Sequence, residues 1–348
     1  MSANAAAPWR MPAETEPHQR AWMAWPAAPY TLGETTAEAE EAWTAWAAVA
    51  NAVADFEPIT MLVPPAGRNE ARRRLSAAVE QVECPLDDAW YRDIGPTFVV
   101  GADGRGLGAV NWVFNGWGQQ EWATWTLDAR ASAVATDLSG ALQIDSRLVN
   151  EGGGIHTDGL GTFLVTETVQ LDPERNPGWT KADVEAELAR TVGARKVIWL
   201  PRGLTRDSER FGTRGHVDIV ATFTAPGRLL VHDQRDESHP DSAVTDEIAA
   251  LLAAETDADG RPLEVVRLPA PKTLVDDVGW VDYSYVNHFV VNGGVVACSF
   301  DDPVDAEARE VIANAYPGRT VVSVDARALF ARGGGVHCIT QQQPGGTP

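Results

Sequence analysis

Five times along this chain a polar or glycine-rich loop leads into, or interrupts, a short apolar run. The segments are Arg92-Asp-Ile-Gly-Pro-Thr-Phe-Val-Val100, Glu151-Gly-Gly-Gly-Ile-His156, Gly215-His-Val-Asp-Ile-Val220, Asn292-Gly-Gly-Val-Val-Ala297 and Gly333-Gly-Gly-Val-His-Cys338. They recur roughly 40 to 80 residues apart, too irregularly for a solenoid but compatibly with a closed ring of similar units. The closest pair is Gly152–His156 and Gly333–His337, each three glycines, an aliphatic residue and a histidine.

The stretches between these loops alternate in period. Apolar residues at three-to-four spacing predict helices over Glu34–Asp55, Arg68–Gln81, Thr180–Val192, Thr245–Ala254 and Pro303–Ala315. Thr180 followed by Asp183 reads as a helix start, with a side-chain oxygen for the orphan amides and an acid in the first turn. Short β-branched runs predict strands at Ile59–Val63, Thr97–Val100, Thr162–Thr166, Val197–Leu200, Leu229–His232, Val265–Leu268, Val295–Phe300 and Thr320–Val324. Such alternation predicts an α/β domain. No stretch has linker composition, so a single domain over 1–348 is expected. Gly101–Gly108 has glycines but no following helix, and reads as a hairpin turn rather than a dinucleotide loop.

Composition narrows the partners. With 28 basic and 49 acidic residues the net charge is −21, which makes nucleic acid a poor partner, because counterion release needs clustered Lys and Arg. A small cation would be attracted instead. The 44% hydrophobic content suits a sizeable core. No run of 18 apolar residues predicts a membrane span, and Met1 to Arg10 lacks the pattern of a secretory signal. A cytoplasmic protein with no membrane partner is expected. Cys84, Cys298 and Cys338 are odd in number and widely spaced, which argues against disulfides or a cysteine-rich zinc site.

A few positions can carry chemistry. Cys338 follows three glycines, which permit close backbone approach and can present a thiol at a loop edge rather than inside a strand. His216 and Asp218, two apart, project from one face if the segment is extended. An imidazole beside a carboxylate suits proton transfer to a leaving amine and from water, or could supply two metal ligands. No further ligands with convincing spacing occur among the seven histidines, so no metal is expected. Asp93 and Glu151, each by itself an ordinary turn or cap acid, would complete a ring of carboxylates with Asp218. Such a ring suits guanidinium, which pairs bidentately with carboxylate. Trp90, Trp117 and Trp122 could add stacking faces, although core packing accounts for most of the 13 tryptophans.

Several separate motifs in one order resemble the agmatine deiminases and bacterial-type peptidylarginine deiminases of the guanidine-modifying (pentein) superfamily. They run from Met11-Pro-Ala-Glu-Thr-Glu-Pro through Asp87-Asp-Ala-Trp-Tyr-Arg-Asp-Ile-Gly-Pro-Thr-Phe98, Glu151–His156, Trp199-Leu-Pro-Arg-Gly203, Gly215–Asp218 and Ser284-Tyr-Val-Asn287 to Gly333-Gly-Gly-Val-His-Cys-Ile-Thr-Gln-Gln342. The resemblance implies a five-bladed α/β propeller with its site on the central axis. By motif position it implies Cys338 as nucleophile, His216 as general acid/base and Asp93 and Asp218 as guanidinium-binding carboxylates. Glu151 would be a further substrate-side acid, beside Trp90 and Trp117. The implied reaction is hydrolysis of agmatine to N-carbamoylputrescine and ammonia through a covalent thiouronium, within polyamine biosynthesis, with no cofactor. A peptidylarginine deiminase and an amidinotransferase are the alternatives, and a homodimer is possible. Asn111 and Ile219 stand where agmatine-specific relatives usually have Asp and Asn. The loop Thr205–Arg214 is longer and more charged than the pattern, and Pro271–Tyr283 is shorter. The substrate's tail is therefore left open.

Overall fold

A computed structural model describes residues 9–103, 106–209 and 211–345; the Met1–Pro8 part of the N-terminal reading lies outside them. The strands form five separate sheets. Each contains the same three-strand motif, in which the first strand runs antiparallel to the second and the third parallel to it. One unit is Thr97–Gly101, Leu107–Val113 and Leu142–Val149. The next is Ile155–Thr157, Thr162–Thr166 and Lys196–Leu200, followed by Ala221–Ala225, Arg228–Asp233 and Glu264–Pro269. The fourth is Phe289–Val291, Gly294–Ser299 and Thr320–Asp325. The fifth joins both ends of the chain: Thr340–Pro344 pairs with His18–Ala24, which pairs with Ile59–Val63. This is the pentein architecture.

A parallel pair needs a crossover, and every unit supplies a helix for it. The crossover helices are Ala131–Ser139, Lys181–Val192, Asp241–Ala253, Asp305–Ala315 and Thr36–Ala54. Two start on reciprocal caps. Thr35 and Glu38 satisfy each other's main-chain N–H groups, as do Thr180 and Asp183, which removes orphan donors at the first turn. The second strands lie between a helix layer and the interior, so Thr162–Thr166 is buried throughout. That burial on both faces is why they read as continuous apolar runs.

Two expectations are corrected. The helix predicted over Arg68–Gln81 ends at Arg74, and Val79–Glu83 is an outer strand parallel to Ile59–Val63. Leu75 and Val79, four apart, carry a helical period past the end of the helix into a strand whose other residues are mostly Glu and Gln. The fourth repeated loop also lies one strand earlier than expected. Asn292-Gly293 is the turn between the first two strands of its unit, with Gly293 at φ 75°. The segment in the equivalent place is Ser284–Asn287, directly before Phe289–Val291. Gly101–Gly108 does connect antiparallel strands, although residues 104 and 105 at its tip lie outside the described ones.

With that correction the five loops are equivalent, since each enters the first strand of its unit. Asp93, Glu151, His216 with Asp218, Asn287 and Cys338 all lie two to five residues before such a strand.

Candidate active site

Cys338 lies in a single 3₁₀ turn, His337–Ile339, and is buried. The thiol is therefore part of a cavity wall and not at an exposed loop edge. The glycines before it act through close approach. A Cβ at Gly334 would sit 2.9 Å from the Cys338 sulfur, and one at Gly335 would sit 2.5 Å from Asn287 Oδ1. The Cys338 Sγ is 3.5 Å from Asp218 Oδ2 and 3.2 Å from Asn287 Nδ2. Burial, then the charges of Asp218 and Asp93, push its pKa well above the ordinary thiol range.

The segment of His216 and Asp218 is not a strand, the case in which the two would share a face, because Val217–Ile219 forms a 3₁₀ turn. Both side chains nevertheless line one small cavity with Cys338, Ile219 and Asp282. Asp207 holds the approach to the turn. Its carboxylate accepts from the main-chain N–H groups of Thr213, Gly215 and His216 and from the Thr213 hydroxyl. The Asp207 anchor lies inside the charged loop Thr205–Arg214, and no sequence signal separated it from the other acids there.

The imidazole of His216 has distinct sides. Its Nε2 meets Glu151 Oε2 at 3.0 Å, while Nδ1 has no hydrogen-bond partner and faces Asp93 Oδ1 at 3.8 Å. Burial disfavours its charge, but Asp93, Glu151 and Asp218 outweigh burial and push the pKa up to about 9. Glu151 sits behind the ring. Its two oxygens accept from Arg175 Nε at 3.0 and 3.2 Å, and Arg175 is in turn held by Asp172 and the Thr213 carbonyl. Burial raises the Glu151 pKa, yet Arg175 and His216 bring it down to about 2. The side chain expected among the substrate contacts thus has its oxygens engaged by Arg175 and His216.

Asp93 faces the sulfur from a neighbouring unit. Its Oδ2 accepts from Trp117 Nε1 at 2.9 Å and its Oδ1 from the Gly153 N–H at 3.2 Å. Burial raises its pKa to about 6 against the opposing pull of His216. Trp90, Trp117, Trp122 and Phe211 line a second small cavity with Asp93 and Cys338. Trp122 stacks on Trp117 at 5.2 Å between centroids. Asn111, by contrast, pairs with Asp145 on an exposed part of its strand.

Asp218 is fixed from behind. Its Oδ2 meets His337 Nδ1 at 2.8 Å, and His337 Nε2 meets the buried Glu14, which also faces Arg92. Burial opposes its charge, but His337, His216 and Arg92 hold its pKa below the ordinary carboxylate value. Asp218 Oδ1 is buried without a partner. Glu14, His156 and His337 have possible ligand atoms within 4.8 Å of one another. Their ring nitrogens are committed, however. His156 Nδ1 accepts from the Phe223 N–H and its Nε2 faces the Thr222 hydroxyl, while both nitrogens of His337 face carboxylates. A metal there would have to displace these bonds.

The centre of this arrangement is Gly153. A Cβ on it would meet His216 Nδ1 at 2.5 Å, Asp218 Oδ2 at 3.0 Å and Asp93 Oδ1 at 3.1 Å. Gly153→Ala is expected to lower kcat/KM by about 10²-fold or more, because a misplacement of about 1 Å at a reacting centre costs that much. Thermal unfolding should shift by only a few degrees, since one methyl group strains a single site. Activity within about threefold of the parent would show that these three groups do not act together.

A five-unit α/β ring with a cysteine, a carboxylate-backed histidine and two buried acids on adjoining cavities defines a guanidine-modifying hydrolase of the pentein class. The chain belongs to the Porphyromonas-type peptidyl-arginine deiminase family, whose sequence profile matches residues 10–344. It is 54% identical over 346 residues to a Streptomyces avermitilis protein named "putative agmatine deiminase", with 99% of both chains covered. It is 38% identical to the agmatine deiminase of Ectopseudomonas mendocina, over 96% of this chain and 95% of that one. The solved agmatine deiminase of Enterococcus faecalis superposes with a TM-score of 0.92 at 31% identity, covering 99% of each chain.

Proposed function

We propose that this chain hydrolyses agmatine to N-carbamoylputrescine and ammonia, with Cys338 as nucleophile and His216 as general acid and base. The observation that carries the reading is a buried thiol facing two carboxylates, Asp93 and Asp218, from different units of the ring. A planar cation with N–H donors on several edges satisfies both acids at once.

Entry of a guanidinium between Asp93 and Asp218 offsets the field that keeps the thiol neutral, and the thiol proton passes to water. The thiolate then forms a C–S bond to the guanidinium carbon, giving a neutral tetrahedral species. Protonated His216 gives its Nδ1 proton to one amino group. The C–N bond breaks, ammonia leaves and a cationic thiouronium remains. Neutral His216 next takes a proton from water as the oxygen bonds to carbon. Collapse breaks the C–S bond, returns the thiolate and yields the ureido product with loss of one proton. The Glu151 contact with Nε2 keeps Nδ1 turned toward the substrate in both steps.

The surroundings favour a cationic tail over the α-carboxylate of arginine. Among the described residues lining the two cavities are Asp207 and Asp282 and no lysine or arginine. Burial, then Asp207, raise the Asp282 pKa to about 7, a cost that a bound ammonium would relieve. Agmatine, free arginine and a peptide arginine should be compared for ammonia and ureido product. The highest kcat/KM is expected for agmatine, without any acceptor amine. A preference for peptide arginine, or ammonia release only with an amine present, would replace this reading with a peptide deiminase or an amidinotransferase.

A further inference from the structure

Three of the five equivalent loops bring a charged or nucleophilic side chain to the cavities, Asp93, His216 with Asp218, and Cys338, and a fourth sets Glu151 behind the His216 ring. The remaining loop, Ser284–Asn287, brings Asn287, which is fully buried and, like Cys338, lies two residues before the first strand of its unit.

The orientation of the Asn287 amide is decided by its neighbours. Its Oδ1 accepts the His337 main-chain N–H at 3.0 Å, so its Nδ2 must face the Cys338 sulfur, at 3.2 Å. The sulfur also lies 3.6 Å from Oδ1, but reversing the amide would set two donors together against the His337 N–H and leave the nearer place at the sulfur to the oxygen. The second Nδ2 hydrogen reaches the Asp218 carbonyl at 3.3 Å, and the Asn287 carbonyl accepts from Cys298 Sγ at 3.1 Å. The side chain is therefore held at both ends, and Gly335 leaves the space that it fills. Two carboxylates act on the sulfur in the opposite sense. The Gly335 N–H and the Asn287 amide favour the anion by hydrogen bonding, and the Arg92 guanidinium favours it through its charge.

We propose that Asn287 is a catalytic residue of this site, whose Nδ2–H hydrogen bond holds the Cys338 sulfur as the anion when it attacks carbon and again when it leaves. This rests on Cys338 being the nucleophile. The bond strengthens only when the sulfur carries charge, because hydrogen bonds to ions are about twice as strong as those between neutral groups. It therefore lowers the barrier rather than tightening substrate binding.

The test is the pH dependence of Cys338 alkylation by iodoacetamide, followed by peptide mapping, in the full chain and in Asn287→Ala. Loss of one hydrogen bond to an ion, about 1.5 to 3 kcal/mol, should lower kcat about 10- to 100-fold with KM changed less than about threefold. The alkylation midpoint should rise by about one to two pH units. Asn287→Asp, which sets an acceptor against the sulfur, should raise it further. If either substitution prevents folding, Asn287→Ser replaces it, judged by the same midpoint in protein with a parental melting curve. An unchanged midpoint in a folded variant overturns the proposal and leaves Asn287 a spacer. The alkylation readout needs no turnover, so a chain inactive on every guanidino compound would refute the proposed reaction without deciding the role of Asn287.

Discussion

Cys338→Ser should lower ammonia release from agmatine by about 10⁴-fold or more, while Cys84→Ser and Cys298→Ser should stay within a few-fold of the parent. Losses on that scale are what removal of a nucleophile produces in other covalent enzymes. A serine hydroxyl here would have to ionise beside Asp218 and Asp93, whose charges already oppose the far more acidic thiol. The other cysteines lack the surroundings of a nucleophile. Cys298 is inside the second strand of the fourth unit, its pKa pushed up to about 12 by burial, and its S–H donates to the Asn287 carbonyl. A serine can make the same bond. Cys84 is buried beside the Pro85 carbonyl, its pKa raised by burial and by Asp128. Steady-state ammonia release and mass spectrometry of a trapped adduct would measure the contrast. An essential Cys298 with a dispensable Cys338 would overturn the assignment.

Asp218→Asn and Asp93→Asn should each lower kcat/KM for agmatine by about 30- to 4,000-fold, the equivalent of about 2–5 kcal/mol for one member of a buried charge pair. The isosteric change removes the charge while keeping the volume, so what is lost is the partner of the guanidinium edge. At Asp93 one oxygen remains for the N–H of Trp117 or Gly153, which limits collateral damage. At Asp218 the amide also faces His337, so turning its nitrogen outward would break the bond that fixes the side chain. Both changes should also lower the pKa of His216, because each acid stabilises the imidazolium. The alkaline limb of the kcat profile, where His216 loses the proton that the leaving amine needs, should move toward neutral pH. Kinetics unchanged in both variants would remove the carboxylate clamp from the mechanism.

The sequence made some of this legible and hid the rest for reasons that can be named. Strands such as Ile59–Val63 and Thr162–Thr166 were readable because they are buried on both faces and built from β-branched and apolar residues. Leu142–Val149 was not, since its exposed face carries Gln143, Asp145 and Arg147 and only Ile144, Ser146 and Leu148 are buried on the other. Five recurring loops were visible, but the fourth was misplaced because Asn292-Gly-Gly looked more like the others than Ser284–Asn287 does. Asn287 belonged to a recognisable motif and still had no role, since an amide acquires one only beside a particular sulfur.

By itself, then, the sequence determined the α/β alternation, the ring-like repetition and the identity of the groups capable of chemistry. These follow from local period and residue type, which neighbouring positions carry. Tertiary structure alone decided what each group faces. It set Glu151 behind the imidazole with Arg175, turned His216 Nδ1 inward, fixed Asp218 through His337 and Glu14, and made Gly153 the space between three functional atoms. These contacts join residues up to 323 positions apart, so hydrogen-bond partners and local fields exist only once the C-terminal strand has closed the ring against the N-terminal one.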